Sequence, residues 1–251
     1  MGYFDLTGKT AIVTGAGRGL GEAVARGLAQ AGADVALVTN RTPAEDVAAA
    51  IRAMGRRAIT IQADVSDRSQ LAAIIDRTIA ELGGIDVLVN NAGIIRRTPA
   101  ADHRYEDWQE VLEVNLNSVF TLSQLAGRHM IERGSGKIIN IASMLSFQGG
   151  INVPGYTSSK HAVAGLTKAL ANEWALKGVQ VNAIAPGYMS TDNTEALRED
   201  PVRSKQILER IPAGRWGTGE DLAGAAVFLA SSASDYVNGH ILAVDGGWLV
   251  R

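Results

Sequence analysis

The sequence of 251 residues contains no cysteine, which excludes a disulfide scaffold and a cysteine-based zinc site. No run of ~18 apolar residues occurs, so no membrane span is predicted. Neither sign of charge is in excess. With 24 Lys and Arg against 26 Asp and Glu, the formal net charge is -2, and neither a broad basic face nor a nucleic-acid partner is expected. The opening MGYFDLTGKT lacks the basic and apolar regions of a signal peptide, and Leu6 stands where myristoylation wants Ser or Thr. His103, His129, His161 and His240 share no metal-ligand spacing, so no metal site is expected. These absences predict a cytoplasmic protein, and one α/β domain of this length buries a core without staples.

What the chain does contain is an alternation. Short β-branched runs at 10–15, 34–39, 58–63, 86–90, 137–142, 179–185 and 240–247 read as seven buried strands. Alanine-rich stretches with apolar residues at three- and four-residue spacing lie between them and end at Gly, as helices do. One of these, YEDWQEVLEVNLNSVFTLSQLAGRHMIERG, reads as a single long helix from 105 to 134. Strands alternating with helices predict a Rossmann-type, doubly wound parallel sheet covered on both faces, in one domain spanning 1–251. The only long interruption, 187–219, leaves the carboxyl end of a strand and is expected to be a substrate lid.

TGAGRGLG at 14–21 follows the first strand and opens the first helix. Gly15, Gly19 and Gly21, with Arg18 and Leu20 between them, let the backbone approach a pyrophosphate at the helix N-terminus. Such turns also join strands to helices with no ligand, but the strand–turn–helix context favours a nucleotide site. ERGSGKI at 132–138 fails as a kinase-like phosphate loop, since Ile131 and Ile138 replace its required Gly and hydroxyl.

Tyr156 and Lys160 are four residues apart on a predicted helix and share a face. A nearby ammonium favours tyrosinate, which makes Tyr156 usable for moving a proton to or from a substrate oxygen. A three-unit shift would require about 4 kcal/mol from this environment. Ser143, at the end of a strand, could donate a hydrogen bond to the oxygen on which charge develops. A serine hydrolase is the competing use of Ser143, but residues 141–145 read IASML and not G-x-S-x-G.

The wide-spaced glycine turn, NNAG at 90–93 and Y-x-x-x-K at 156–160 together resemble the short-chain dehydrogenase/reductase family, over essentially the whole chain. The resemblance implies a nicotinamide-dependent oxidoreductase with Asn115, Ser143, Tyr156 and Lys160 as its catalytic set. Asn115 is implied to bend its helix and hold a water that links Lys160 to solvent. Asp64 and Val65 would hold the adenine; Asn91, Ala92 and Gly93 would line the pocket with Pro186 and Gly187, and Thr191 would reach the carboxamide.

NAD-preferring members carry an acid after strand two, where this chain has Thr39, Asn40 and Arg41. Arg18 and Arg41 could pair with a 2′-phosphate or could simply be solvated. NAD is expected, with NADP the alternative. The segments IINIASMLSFQGG, VNAIAPGYMSTDNT, RIPAGRWG and SSASDYVNGHILAVDGGWL resemble the family's sugar-acid dehydrogenases, which implies a small sugar-acid substrate and a homotetramer. A carboxylate needs a cation, and Arg97 (with Arg96 beside it) and Arg215 are candidates, with Met144, Gln148 and Asn152 on the substrate-facing wall. A 3-oxoacyl-carrier reductase shares the catalytic set but needs another pocket, and a nucleotide-binding sensor on a reductase scaffold is the non-enzyme alternative.

Overall fold

The computed structural model of the chain describes residues 2–251. The strands are β1 Thr10–Thr14, β2 Asp34–Thr39, β3 Ala58–Gln62, β4 Val87–Asn90, β5 Gly136–Ile141, β6 Val179–Pro186 and β7 Ile241–Val244. They pair in parallel throughout, in the order β3-β2-β1-β4-β5-β6-β7. The order reverses between β1 and β4, and a crevice opens there at the carboxyl ends of the strands. Residues of β1 are buried throughout, which is why TAIVT shows no alternation.

Helices cover both faces. On one, α1 Gly19–Gln30, α2 Glu45–Ala53 and α9 Gly219–Ala230 pack with Val13, Val35 and Leu37 of the sheet. On the other, α3 Arg68–Leu82, α5 Ser118–Arg133 and α6 Pro154–Trp174 cover Ile12, Leu88 and Ile138. Chain chemistry sets several of their ends. Asp67 caps α3 by accepting from Ser69 N, and Gly83 and Gly134 end α3 and α5 in the left-handed conformation. A buried polar ladder ties the middle strands to both α5 and α6. Asn90 Nδ2 donates to Asn140 Oδ1 (2.9 Å) and Ser123 Oγ (3.0 Å), and Asn140 Nδ2 donates to Thr167 Oγ1 (3.0 Å).

The sequence pattern departs from the structure at two places. The helix expected across 105–134 is divided into α4 Tyr105–Leu112 and α5 by a π-helical turn, Glu113–Asn117. Its cause is tertiary. The amide of Asn115 accepts from Ile94 N and donates to Ile94 O, both at 2.9 Å, and this pairing pulls the helix toward the strand end. The excursion at 187–219 carries helices of its own, α7 Glu195–Glu199 and α8 Pro201–Arg210. Asp200 caps α8 by accepting from Val202 N and Arg203 N, and Pro201 occupies its first turn. The two ends of the excursion meet in a bridge between Met189 and Gly217, so it leaves and rejoins the body at one hinge.

Candidate active site

A cleft of about 990 Å³ runs along the carboxyl edge of the sheet and under α8. One end is formed by the glycine turn. A Cβ on Gly21 would overlap the Gly15 carbonyl oxygen, so the turn closes this tightly only with glycine. Arg18 stands at the N-cap of α1 and makes no side-chain cap bond, so the amides of the first turn are left for a ligand. An anionic phosphate group fits this end of the cleft.

The NNAG turn forms the floor. Thr14 Oγ1 accepts from Asn91 N and Ala92 N (3.0 Å each), and Asn91 Nδ2 donates to Thr14 O (2.8 Å). These bonds clip the end of β4 to the end of β1 and hold the crevice open above them. Gly93, Pro186, Gly187 and Thr191 line the same cleft, as do Leu20, Asn40, Arg41, Asp64 and Val65. Asp64 accepts from Ser66 Oγ (2.6 Å) and Ser66 N (2.9 Å). The Ser66 hydroxyl foremost holds its carboxyl below the usual range, against partial burial, with Asn40 and Arg41 acting in the same direction as Ser66. A dinucleotide therefore meets phosphate-binding amides at one end and polar groups along its length.

The far end holds Ser143, Tyr156 and Lys160. Ser143 follows β5 and accepts from Leu145 N (3.1 Å), and its hydroxyl hydrogen-bonds the Tyr156 phenol at the wall of the cleft. Ser146 Oγ donates to Lys160 O (2.7 Å) and accepts from Ser143 N (3.3 Å), stitching the end of β5 to α6. The Lys160 ammonium is buried, donates to Ile141 O (2.6 Å) and stands 5.5 Å from the Tyr156 ring centroid. Burial alone lowers its pKa to about 8. The phenol of Tyr156 is pushed above its ordinary value by burial, and only partly pulled back by the Ser143 hydroxyl and the positive charge of Arg97. Burial thus outweighs the effect expected of the lysine, and in this wall Tyr156 holds its proton through neutral pH.

Asn115 does not line the cleft. It sits one layer behind, where its Nδ2 also donates to Ser159 Oγ (3.2 Å), and Ser159 Oγ in turn donates to Tyr156 O (2.7 Å). Met144 and Gln148 lie on the wall as expected, and Arg96 and Arg97 enter from the end of β4. Two expected substrate contacts are corrected. Arg215 points away, pairing with both carboxylate oxygens of Asp221 (2.8 Å each). Asn152 lies outside the cleft with φ +63°, its carbonyl accepting from Thr98 N (2.9 Å). Arg18 is likewise engaged, with Asp192 Oδ2 at 2.6 Å, across the mouth of the cleft. His161, exposed, faces only the Thr157 carbonyl.

Several cleft residues escape the sequence pattern. Arg203, Gln206, Ile207 and Arg210 line it from α8, and Trp248 lines it from beyond β7. The spacing i, i+3, i+4, i+7 in PVRSKQILER is the available signal for the first four.

A family model described as Enoyl-(Acyl carrier protein) reductase matches residues 15–249. The chain is 59% identical to the 2-dehydro-3-deoxy-D-gluconate 5-dehydrogenase of Bacillus subtilis (strain 168), covering 100% of both chains. It is 56% identical to the enzyme of that name from Escherichia coli (strain K12), over 100% of this chain and 99% of the other. Among solved structures, a gluconate 5-dehydrogenase from Burkholderia cenocepacia J2315, in complex with NADP and tartrate, superposes with a TM-score of 0.95 at 45% identity, covering 99% and 98% of the two chains.

The buried lysine makes stability depend on pH. The ordinary lysine pKa of 10.5 falls to about 8 at Lys160 in the folded chain, so the unfolded chain binds more protons between these values. Burying the ammonium therefore costs stability in full below pH 8, and the cost is relieved as pH rises. Lys160→Met removes this dependence. Urea unfolding should show the variant gaining about 2–3 kcal/mol relative to wild type at pH 7 compared with pH 10. A difference independent of pH would mean that the lysine is not charged and desolvated in the fold.

Proposed function

The chain belongs to the short-chain dehydrogenase/reductase family, and from that premise we propose that it transfers hydride reversibly between a nicotinamide dinucleotide and the 5-position of a 2-keto-3-deoxy sugar acid, as a 2-dehydro-3-deoxy-D-gluconate 5-dehydrogenase. The observation that carries the reading is the phenol of Tyr156 beside Ser143 and under the charge of Arg97, in one cleft with the glycine turn.

When bound, the nicotinamide supplies or accepts the hydride. Tyr156 gives a proton to the carbonyl oxygen in reduction and takes one from the hydroxyl in oxidation. Its raised pKa suits the acid role. In oxidation, the positive charges of Arg97 and Lys160 stabilise the tyrosinate that forms. Ser143, whose hydroxyl adjoins the Tyr156 phenol, donates its O–H to the same substrate oxygen. Asn115 acts through position, bracing the Ile94 backbone and, through Ser159, the start of α6.

Both NAD and NADP remain cofactors of the proposal. Because Arg18 is drawn to Asp192, Arg41 is the better placed of the two arginines for a 2′-phosphate. Gluconate is the second substrate reading, on the likeness to the Burkholderia enzyme. A cleft with several arginines suits an acid better than an acyl chain. In the same reading, 187–219 is a lid on the 1–251 domain, and the enzyme is cytoplasmic. Among the described residues no helix is long and apolar enough to cross a membrane. Exposed Tyr105 on α4 and Phe120 on α5, with Leu176 and Val250, support assembly as a homotetramer through these helices and the C-terminal segment.

Incubation with 2-dehydro-3-deoxy-gluconate and NAD or NADP should produce reduced cofactor, and no absorbance change with either would remove the substrate assignment. Tyr156→Phe should lower turnover by a factor of about 100 or more while cofactor affinity, read by fluorescence titration, stays unchanged. Arg41→Ala should lower kcat/KM with NADP about tenfold and leave NAD nearly untouched, through loss of a charged hydrogen bond. Equal effects on both cofactors would clear Arg41 of any role in the choice. Light scattering should give four times the mass of the chain, and a monomer mass would sink the tetramer.

A further inference from the structure

The segment after β7, DGGW at 245–248, forms part of the roof of the cleft, and its shape is built locally. The Asp245 carboxylate accepts from Gly247 N and Leu249 N (2.9 Å each). Gly247 has φ +91°, and a Cβ there would stand 2.9 Å from Pro212 Cγ, so the turn lies hard against the segment that follows α8. Trp248 is thereby buried beneath α8. Its ring meets Tyr188 (centroids 4.6 Å apart), which meets Trp216 edge-on at 5.6 Å.

Two polar groups are oriented by this indole. Its Nε1–H donates to Gln148 Oε1 (3.0 Å), which leaves both N–H donors of the Gln148 amide for the cleft. Its face carries the Arg210 guanidinium, with Cζ 3.9 Å from the ring centroid. Among the described residues, no carboxylate lies within 4.0 Å of that guanidinium and no acceptor engages it. Three other cleft arginines are occupied: Arg18 holds Asp192, Arg96 holds Glu110 and Arg203 donates to Gln206 Oε1, while Arg41 lies beside Asp64 at the glycine-turn end. Arg97 brings positive charge to the Tyr156 phenol, whereas Arg210 is held on the face of Trp248.

We propose that Trp248 is the platform of a carboxylate site, in which Arg210, held flat on the indole, binds the substrate carboxylate through two N–H groups and Gln148 donates to the adjacent oxygen of the substrate. The pairing rests on the sugar-acid reading above. It assigns opposite ends of the substrate to different arginines: Arg97 to the carbon that exchanges hydride, Arg210 to the acid. A planar guanidinium stacked on a ring has little freedom left to lose on binding, which favours bidentate capture of a carboxylate. Because Arg210 belongs to α8, the acid of the substrate would also hold the lid down.

Binding to the full chain loaded with NADPH, where no turnover follows, tests the site directly. D-gluconate is the probe, and glucitol, its neutral polyol counterpart, is the control, both titrated by calorimetry. Wild type should bind gluconate at least tenfold more tightly than glucitol. Arg210→Gln should weaken gluconate about 10- to 100-fold, the range for a charged hydrogen-bonded pair, with NADPH and glucitol affinities unchanged. Arg210→Lys should recover part of the loss. Trp248→Phe, which keeps a ring but removes the N–H donor, should weaken gluconate less than Arg210→Gln does.

Gluconate binding by Arg210→Gln within about threefold of wild type, less than the range for such a pair, overturns the proposal. So does equal weakening of glucitol or NADPH, which would mean a structural role for Arg210 in α8. Turnover of the 2-keto-3-deoxy acid is measured in parallel. If turnover persists while the Arg210 prediction fails, only the carboxylate site is lost. If Arg210-dependent binding holds while turnover is absent, only the substrate assignment is lost.

Discussion

An ammonium inside the protein is the constraint around which the reactive wall is arranged. Lys160 is buried on α6, and its ammonium donates to the carbonyl of Ile141, the last residue of β5. That bond and the Ser146 bond to the Lys160 carbonyl fix the start of α6 against the end of β5. The same burial that positions the lysine makes its charge costly, and it raises the phenol of Tyr156 for the same reason. The two groups are therefore held in geometry first and tuned second. Positive charge reaching the phenol from Arg97 is part of that tuning.

The rest of the site follows from the sheet. Parallel strands bring all their carboxyl ends to one edge, and the reversal between β1 and β4 leaves a crevice there. Thr14 and Asn91 lock the two strand ends together. The excursion at 187–219 departs from the same edge at β6 and closes on itself at Met189 and Gly217. Two of its contacts with the body differ in chemistry: an exposed ion pair from Asp192 to Arg18, worth at most about 1 kcal/mol, and the stacked Arg210 on Trp248. The exposed ion pair holds the excursion weakly beside the glycine turn, and the aromatic stack holds α8 over the cleft.

Much of this is legible in the residues. The seven apolar runs become strands, and in the inner ones the run is unbroken because a parallel strand is buried on both faces, whereas the edge strands β3 and β7 are only partly buried. The glycine turn, NNAG and Y-x-x-x-K are local patterns, and they can be read because a tight turn or one helix face is decided by neighbours in sequence. The lid reads as an interruption but not as helical. Its α8 pattern is partly apolar, and its packing partner, Trp248, lies some forty residues away.

The sequence by itself determined the order of the strands, the glycine turn at one part of the cleft and the Ser143, Tyr156 and Lys160 set that the fold brings to its wall. Each depends on spacing within a single turn or helix. The tertiary structure alone decided which arginines face the cleft, why the 105–134 helix breaks and which way the tyrosine's pKa moves. Arg215 was lost to Asp221 and Arg210 gained through Trp248 because a long cationic side chain goes to whichever partner the fold brings near. The break at Asn115 needs the Ile94 backbone, and the raised phenol needs the walls that bury it. Burial and charge pairing are properties of assembled surfaces, and no window of the sequence contains them.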